Sequence, residues 1–129
     1  MTYHSTLPKL YVLFPRTQAW VKAEMASTEA QKIAGLHGRA ALGPNEGMLF
    51  KFAPQEPPVS MTMASMLVPL DIMFIGYDDV VGHIAHRVRP GRVAPVLGPA
   101  VPWVLEVPAG FARKHKIKVG DRIVLQTGH

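Results

Sequence analysis

The fold class is indicated most directly by the stretch Leu67-Val68-Pro69-Leu70-Asp71-Ile72-Met73-Phe74-Ile75. Its second half is rich in branched and aromatic residues, which predicts a buried β-strand. The turn Gly76-Tyr77-Asp78-Asp79 leads into Val80–His86, so the two segments predict a hairpin. One carboxylate, Asp71, interrupts the apolar run. A charge at such a place must face solvent, find a partner or serve chemistry.

Short elements are predicted on both sides of this hairpin. Apolar or alternating patterns predict further strands at Lys9–Phe14, Ala19–Met25, Met48–Phe52, Val59–Met66, Trp103–Val107 and Asp121–Gln126. Thr28 and Gln31 have capping-box spacing ahead of Gly35, and Pro108–His115 predicts a second short helix. With 12 Pro and 11 Gly, long elements are excluded. The sequence therefore predicts a mainly β fold (β-rich α+β), a single antiparallel-dominated sandwich or barrel-like domain with two short helices.

The chain of 129 residues shows no repeat and no boundary, so we expect one domain over residues 1–129, with residues 1–8 flexible. Cysteine is absent, which excludes disulfides and cysteine-based metal sites. His83 and His86 are three residues apart in a predicted strand, where that spacing places side chains on opposite faces. We therefore expect no metal site and no cofactor.

The formal net charge of +5 is concentrated in two basic stretches, residues 86–92 and 113–118. Neither stretch is interleaved with the aromatic residues on which single-stranded nucleic acids stack, so a nucleic-acid partner is not expected. The longest apolar stretch, Met66–Ile75, is far shorter than the roughly 20 residues that cross a membrane. The first six residues lack the pattern of a signal peptide.

Four of the nine acidic residues lie within or beside the strongest predicted strands: Glu46, Asp71, Glu106 and Asp121. Three others, Glu24, Glu29 and Glu56, are interpreted as solvated, while Asp78-Asp79 and Asp121 are interpreted as turn residues. Asp71 stands out because it shares its strand face with Met73 and Ile75.

Two roles are open for Asp71. As a structural acceptor it would bond Arg39, Lys51 or backbone amides and organise the Val68-Pro69 bend. As a functional group it would bind a ligand or act in catalysis.

Several short motifs also resemble those of a known family: Gly35-Leu36, Arg39, Glu46-Gly47-Met48-Leu49-Phe50, Pro69-Leu70-Asp71, Leu105-Glu106, Ala109-Gly110 and Gly120-Asp121. The chain resembles the small bacterial and archaeal proteins of the domain of unknown function 192 family, which has no established activity. Family members often begin with an export signal, so the resemblance implies an exported or periplasmic protein whose leader is not part of this sequence.

The chain departs from the family pattern between Ser60 and Met66. There the family typically shows an aromatic pair followed by Met-Lys-Asn-Thr, whereas this chain reads Met61-Thr62-Met63-Ala64-Ser65-Met66. Met63 alone matches. The resemblance implies a long cation and an amide at the positions of Ala64 and Ser65, so these departures weaken any site shared with the family.

Two functional classes follow from the sequence. The first is a non-catalytic domain that binds a small ligand or a protein partner, with an adaptable pocket lined by Met48, Met61, Met63, Met66 and Met73. The second is a hydrolase with Asp71 as general base and Arg39 or Lys51 steadying an anion. We favour binding, because the chain lacks polar side chains that its relatives present. The expected site residues are Asp71, Met63, Ser65, Arg39 and Lys51.

Overall fold

A computed structural model describes residues 6–54 and 58–127. The elements in chain order are β1 (Lys9–Phe14), β2 (Ala19–Ala26), α1 (Glu29–Ala34), β3 (Glu46–Lys51), β4 (Ser60–Met61), β5 (Leu70–Ile75), β6 (Val81–Val88), β7 (Val96–Leu97), β8 (Trp103–Pro108), α2 (Phe111–Lys114) and β9 (Val124–Thr127). Residues 1–5, 55–57 and 128–129 lie outside this description, and with them part of the terminus expected to be flexible and Glu56, which was interpreted as solvated.

Seven strands form one mixed sheet in the order β6-β5-β8-β3-β2-β1-β9, and β4 pairs with β7 in a small second sheet. Within the large sheet β2 and β3 are parallel, and every other neighbouring pair is antiparallel. An isolated bridge between Val80 and Arg122 joins segments next to the two edge strands. The prediction of a mainly β, antiparallel-dominated fold with two short helices is confirmed. The large sheet is open and does not form a closed barrel.

Both faces of the large sheet are covered by apolar clusters. One cluster contains Met73 and Ile75 of β5 together with Phe111 and Ala112 of α2. The other contains Leu70, Ile72 and Phe74 with residues from the small sheet, including Met61 and Val96. Consequently all six residues of β5 are buried, as are the four central residues of β8. A polar side chain on either strand is buried whichever face it occupies.

Local signals placed several elements correctly. The hairpin of β5 and β6 is present, and α1 begins with the predicted capping box of Thr28 and Gln31. Gly35 ends this helix with a φ of +47°, in the range that favours glycine.

Other boundaries differ from the prediction. The strand expected at Val59–Met66 is reduced to the two residues of β4, and Asp121 precedes β9. Pro108 ends β8 opposite Leu70, and α2 starts three residues later at Phe111. A proline lacks an amide donor, so the end of a strand tolerates it as readily as the first turn of a helix does.

No helix in the described ranges is long and apolar enough to span a membrane.

Candidate functional site

Asp71 is fully buried, and three backbone amides donate hydrogen bonds to its carboxylate. Oδ1 accepts from the Arg87 amide at 2.8 Å and the Gly110 amide at 3.1 Å, and Oδ2 accepts from the Ala112 amide at 2.9 Å. The interpretation of Asp71 as an acceptor of backbone amides is confirmed. The side chains of Arg39 and Lys51, the other donors considered, do not supply these bonds.

The local backbone explains why these amides point at Asp71. Gly110 is the N-cap of α2 and has no side chain with which to cap the helix, so Asp71 accepts from the first amides of α2 instead. The pairing of β5 with β6 shifts register between Leu70 and Ile72, and such an irregularity releases an amide from the ladder. Asp71 thus joins β5, β6 and α2.

The remaining predicted site residues lie apart from Asp71. Arg39 forms an ion pair with Glu24 of β2, with Nη2 of Arg39 2.9 Å from Oε1 of Glu24 and a second contact between Nη1 and Oε2. Met63 is buried in the core, whereas Lys51 and Ser65 are exposed. The structure does not bring the five residues into one cleft, and a ligand role for any of them stays a prediction.

The ion pair corrects the interpretation of Glu24 as solvated. Glu24 is only 8% exposed, and its partner Arg39 arrives from the loop after α1. A buried carboxylate requires such a partner, and this one comes from 15 residues away in sequence.

A cleft of about 280 Å³ opens over the face of the sheet that carries the small second sheet. One wall is α1 with the residues that follow it, and the other is the segment 60–66. Its lining is mainly apolar and includes Leu36, Phe50, Phe52, Met61 and Met66. Among the described residues of the sheet, Glu106 is the acidic residue that lines this cleft. Its side chain forms the floor of the cleft.

Glu106 lies on the interior strand β8, opposite Met48 of β3 and Ile72 of β5. It is 3% exposed, and among the described residues no donor is hydrogen-bonded to its carboxyl group. Burial raises the pKa of Glu106 to about 8, because desolvation disfavours the charged form. At neutral pH the side chain is therefore mostly an uncharged carboxylic acid that faces the cleft.

The model of DUF192, described as Uncharacterized ACR, matches residues 12–125. The chain belongs to this family. No curated protein is similar enough to count as a match.

Two solved structures are similar to this DUF192 chain. A protein of unknown function from Novosphingobium aromaticivorans is 31% identical, with a TM-score of 0.85, over 95% of this chain and 91% of that one. A candidate transcription regulator from Sinorhizobium meliloti is 30% identical, with a TM-score of 0.84, over 95% of this chain and 98% of that one. The family and these relatives assign no activity to the cleft.

The charged groups at the cleft mouth of this DUF192 protein compensate one another. Nζ of Lys32 is 3.0 Å from Oε1 of Glu29 and 4.4 Å from the centre of the Phe52 ring. His37 is exposed at the same mouth. Glu106, at the inner end, has no such compensation among the described residues.

The methionines expected to line one pocket are divided by the sheet. Met61 and Met66 line the cleft, and Met48 and Met63 belong to the apolar cluster beneath it. Met73 lies in the cluster on the opposite face. Part of the predicted methionine set is therefore adjacent to Glu106.

His83 and His86 are both exposed on β6, and His83 lies against Phe74 with ring centres 5.6 Å apart. Residues 6–54 and 58–127 hold no group of three or more His, Cys, Asp or Glu side chains arranged to bind a metal ion.

Asp121, interpreted from the sequence as a turn residue, also forms an ion pair. Its carboxylate accepts hydrogen bonds from Nε of Arg16 at 2.5 Å, Nη2 of Arg16 at 2.8 Å and the Lys118 amide at 2.9 Å. The hydrogen bonds from Arg16 lower the pKa of Asp121. This pair links the β1–β2 turn to the segment before β9 and does not line the cleft.

Proposed function

We propose that this chain is a non-catalytic small-ligand-binding domain and that its binding site is the cleft whose floor is Glu106. The observation that supports the proposal is a buried carboxyl group with no hydrogen-bond donor among the described residues, at the end of an apolar cleft. Burying an unpartnered polar group costs free energy. A concave apolar site with a few polar groups of perturbed pKa is the usual form of a ligand site.

The lining suits a ligand that is largely apolar. Phe50 and Phe52 offer flat apolar surfaces, and the thioether side chains of Met61 and Met66 repack readily around different shapes. A cavity of about 150 Å³ can hold benzene, so a cleft of about 280 Å³ has room for one small organic molecule.

A hydrolase with Asp71 as general base is the weaker candidate. A general base must come within hydrogen-bonding reach of the proton that it removes. Asp71 is fully buried, and both of its carboxylate oxygens already accept from backbone amides. These hydrogen bonds give Asp71 a structural role.

The relative from Sinorhizobium meliloti raises DNA binding as another possibility for this chain. A recognition helix must lie in the major groove and present several side chains to the bases. The helices in the described parts of the chain have six and four residues, so they supply little of that surface. Ligand binding is therefore the function that we propose.

The test uses protein labelled with ¹³C at the methionine methyl groups. We expect at least one of three probes, benzylammonium, benzyl alcohol and benzoate, to shift the methyl signals of Met61 and Met66 in a saturable way. Met73, on the opposite face of the sheet, is the internal control and should not shift. Saturable shifts at Met73 with none at Met61 and Met66, or no shift with any probe, would contradict the proposed site.

A further inference from the structure

The chemistry of the Glu106 cleft indicates what class of ligand it binds. Glu106 is buried on the interior strand β8, and the described residues supply it with neither a hydrogen-bond donor nor a cation. A buried carboxylate is stable only when it is paired, and a charge-assisted bond from a cation is among the strongest pairings available. The partner that the protein does not provide is one that a ligand can bring.

The wall of the cleft already accommodates an ammonium group. Nζ of Lys32 lies over the Phe52 ring at 4.4 Å from its centre, within the range of a cation–π interaction. Phe50 and Glu106 lie on the same face of the sheet. Phe50 belongs to the same apolar cluster as Met48, and Met48 is the residue opposite Glu106 on the neighbouring strand. Aromatic rings beside a carboxyl group form an environment suited to an organic cation.

The other charged side chains near Glu106 do not supply the cation that its carboxylate lacks. From α1, the ammonium of Lys32 is paired with Glu29, and beyond α1 His37 lies exposed at the mouth. Glu24 of β2 lies two strands from Glu106, beyond Met48, and is paired with Arg39. Segment 60–66 contributes hydroxyl groups and methionines but no charge.

We infer that the cleft binds a small organic cation, an ammonium group on an apolar body, with the ammonium against the Glu106 carboxylate and the body against the Phe and Met side chains. This inference rests on the proposed function and specifies its ligand class. When the cation binds, the Glu106 carboxyl group releases its proton to solvent, and no covalent bond of the ligand changes. The Glu106 carboxylate would repel an anionic ligand, and a neutral ligand would leave the Glu106 carboxyl group protonated.

The test compares three probes with the same benzyl body at pH 8: benzylammonium, benzyl alcohol and benzoate. We expect benzylammonium to bind the wild-type protein at least about tenfold more tightly than benzyl alcohol, and benzoate most weakly. Since the pKa of Glu106 is about 8, affinity for benzylammonium should fall about tenfold for each pH unit below that value. Calorimetry in buffers of different ionisation enthalpy should detect the released proton.

Two variants separate the charge of Glu106 from charge elsewhere. Glu106→Gln should abolish the preference for benzylammonium over benzyl alcohol, and Glu46→Gln, an exposed site on β3, should retain it. Equal affinity for the cation and the alcohol, or a preference that persists in Glu106→Gln, would overturn the inference while leaving the proposed binding site intact. Failure of all three probes to shift Met61 and Met66 would instead overturn the proposed function.

Discussion

Two buried carboxyl groups occupy neighbouring interior strands but opposite faces of the sheet, and their hydrogen-bond partners differ completely. Asp71 on β5 accepts three backbone amide hydrogen bonds and joins the helix α2 to two strands. Glu106 on β8 accepts none from the described residues and lines a cleft. Asp71 and Glu106 are almost equally buried, so burial does not distinguish a structural carboxylate from a candidate functional one.

The distinction lies in the hydrogen-bond donors and in the sign of the effect on stability. A carboxylate with three donors contributes to folding, because removing it leaves buried amides unpaired. A buried carboxyl group without donors opposes folding wherever the unfolded chain would ionise. Groups kept at such a cost are commonly found at functional sites.

The largest effect is expected at Asp71. Asp71→Ala leaves three amides without an acceptor, and at about 1 kcal/mol or more for each amide we expect a loss of at least about 3 kcal/mol. Asp71→Asn retains the shape and the oxygen that can serve two amides, and it should cost less. Denaturant unfolding of both variants measures the free energies.

A loss under about 1 kcal/mol in Asp71→Ala would show that the three hydrogen bonds do not hold the fold, and it would remove the contrast with Glu106. Asp78→Asn is a matched control, because Asp78 is an exposed acid in the β5–β6 turn. It should change stability only slightly.

The next effect has the opposite sign. The pKa of Glu106 is raised to about 8 in the folded protein, so the unfolded chain releases this proton at lower pH than the folded one does. Wild-type stability should therefore decrease as pH rises from about 4.5 to about 8, and Glu106→Gln removes that decrease. At pH 7 the variant should be more stable by up to about 3 kcal/mol, and the gain should vanish below pH 4.

Thermal unfolding of wild type and Glu106→Gln between pH 4 and pH 9 checks this prediction. Glu46→Gln, which removes an exposed charge, should follow the wild-type pH dependence. A Glu106→Gln variant less stable than wild type at every pH would place Glu106 with Asp71 as a structural acid.

A smaller effect is expected at Asp121, a third carboxylate, which has a charged partner. Hydrogen bonds from Arg16 lower the pKa of Asp121, so their contribution to stability is present at neutral pH and lost as pH falls through that lowered pKa. Arg16→Gln should be less stable than wild type at pH 6, and the difference should shrink below pH 4. A difference that is constant with pH, or equal in the exposed control Arg92→Gln, would argue against the pair.

No effect is expected from metal removal. A metal ion at the cleft would be another way to ionise Glu106, with His37 near the mouth, but the described residues form no group of three metal-binding side chains. A strong chelator should leave the melting temperature unchanged. A decrease of several degrees that zinc reverses would mean that the cation partner of Glu106 is a metal ion.

Most elements of the fold could be predicted from local sequence patterns. The hairpin of β5 and β6 and the capping box at Thr28 each depend on a few adjacent residues, and both were predicted from them. The start of α2 was misplaced because Pro108 suits a helix start and a strand end equally. What decides between the two is its pairing with Leu70, which is a contact between distant segments.

The candidate site was harder to predict, because it depends on which faces are covered. Glu106 was among the four acids within or beside strong strands, but the sequence of β8 alone does not show that both of its faces are buried. That information requires the positions of α1 and segment 60–66. The pairing of Glu24 with Arg39, and the amides that reach Asp71 from α2, are likewise contacts across the fold.

The most direct test is the titration of Glu106 itself. The chain has five glutamates, and ¹³C labelling at their side-chain carboxyl carbons lets NMR follow each one with pH. We predict one signal with a midpoint near pH 8 that is absent from the Glu106→Gln variant. A Glu106 signal that titrates near pH 4.5 would contradict the account, because the carboxyl group would then be either solvated or paired within the protein.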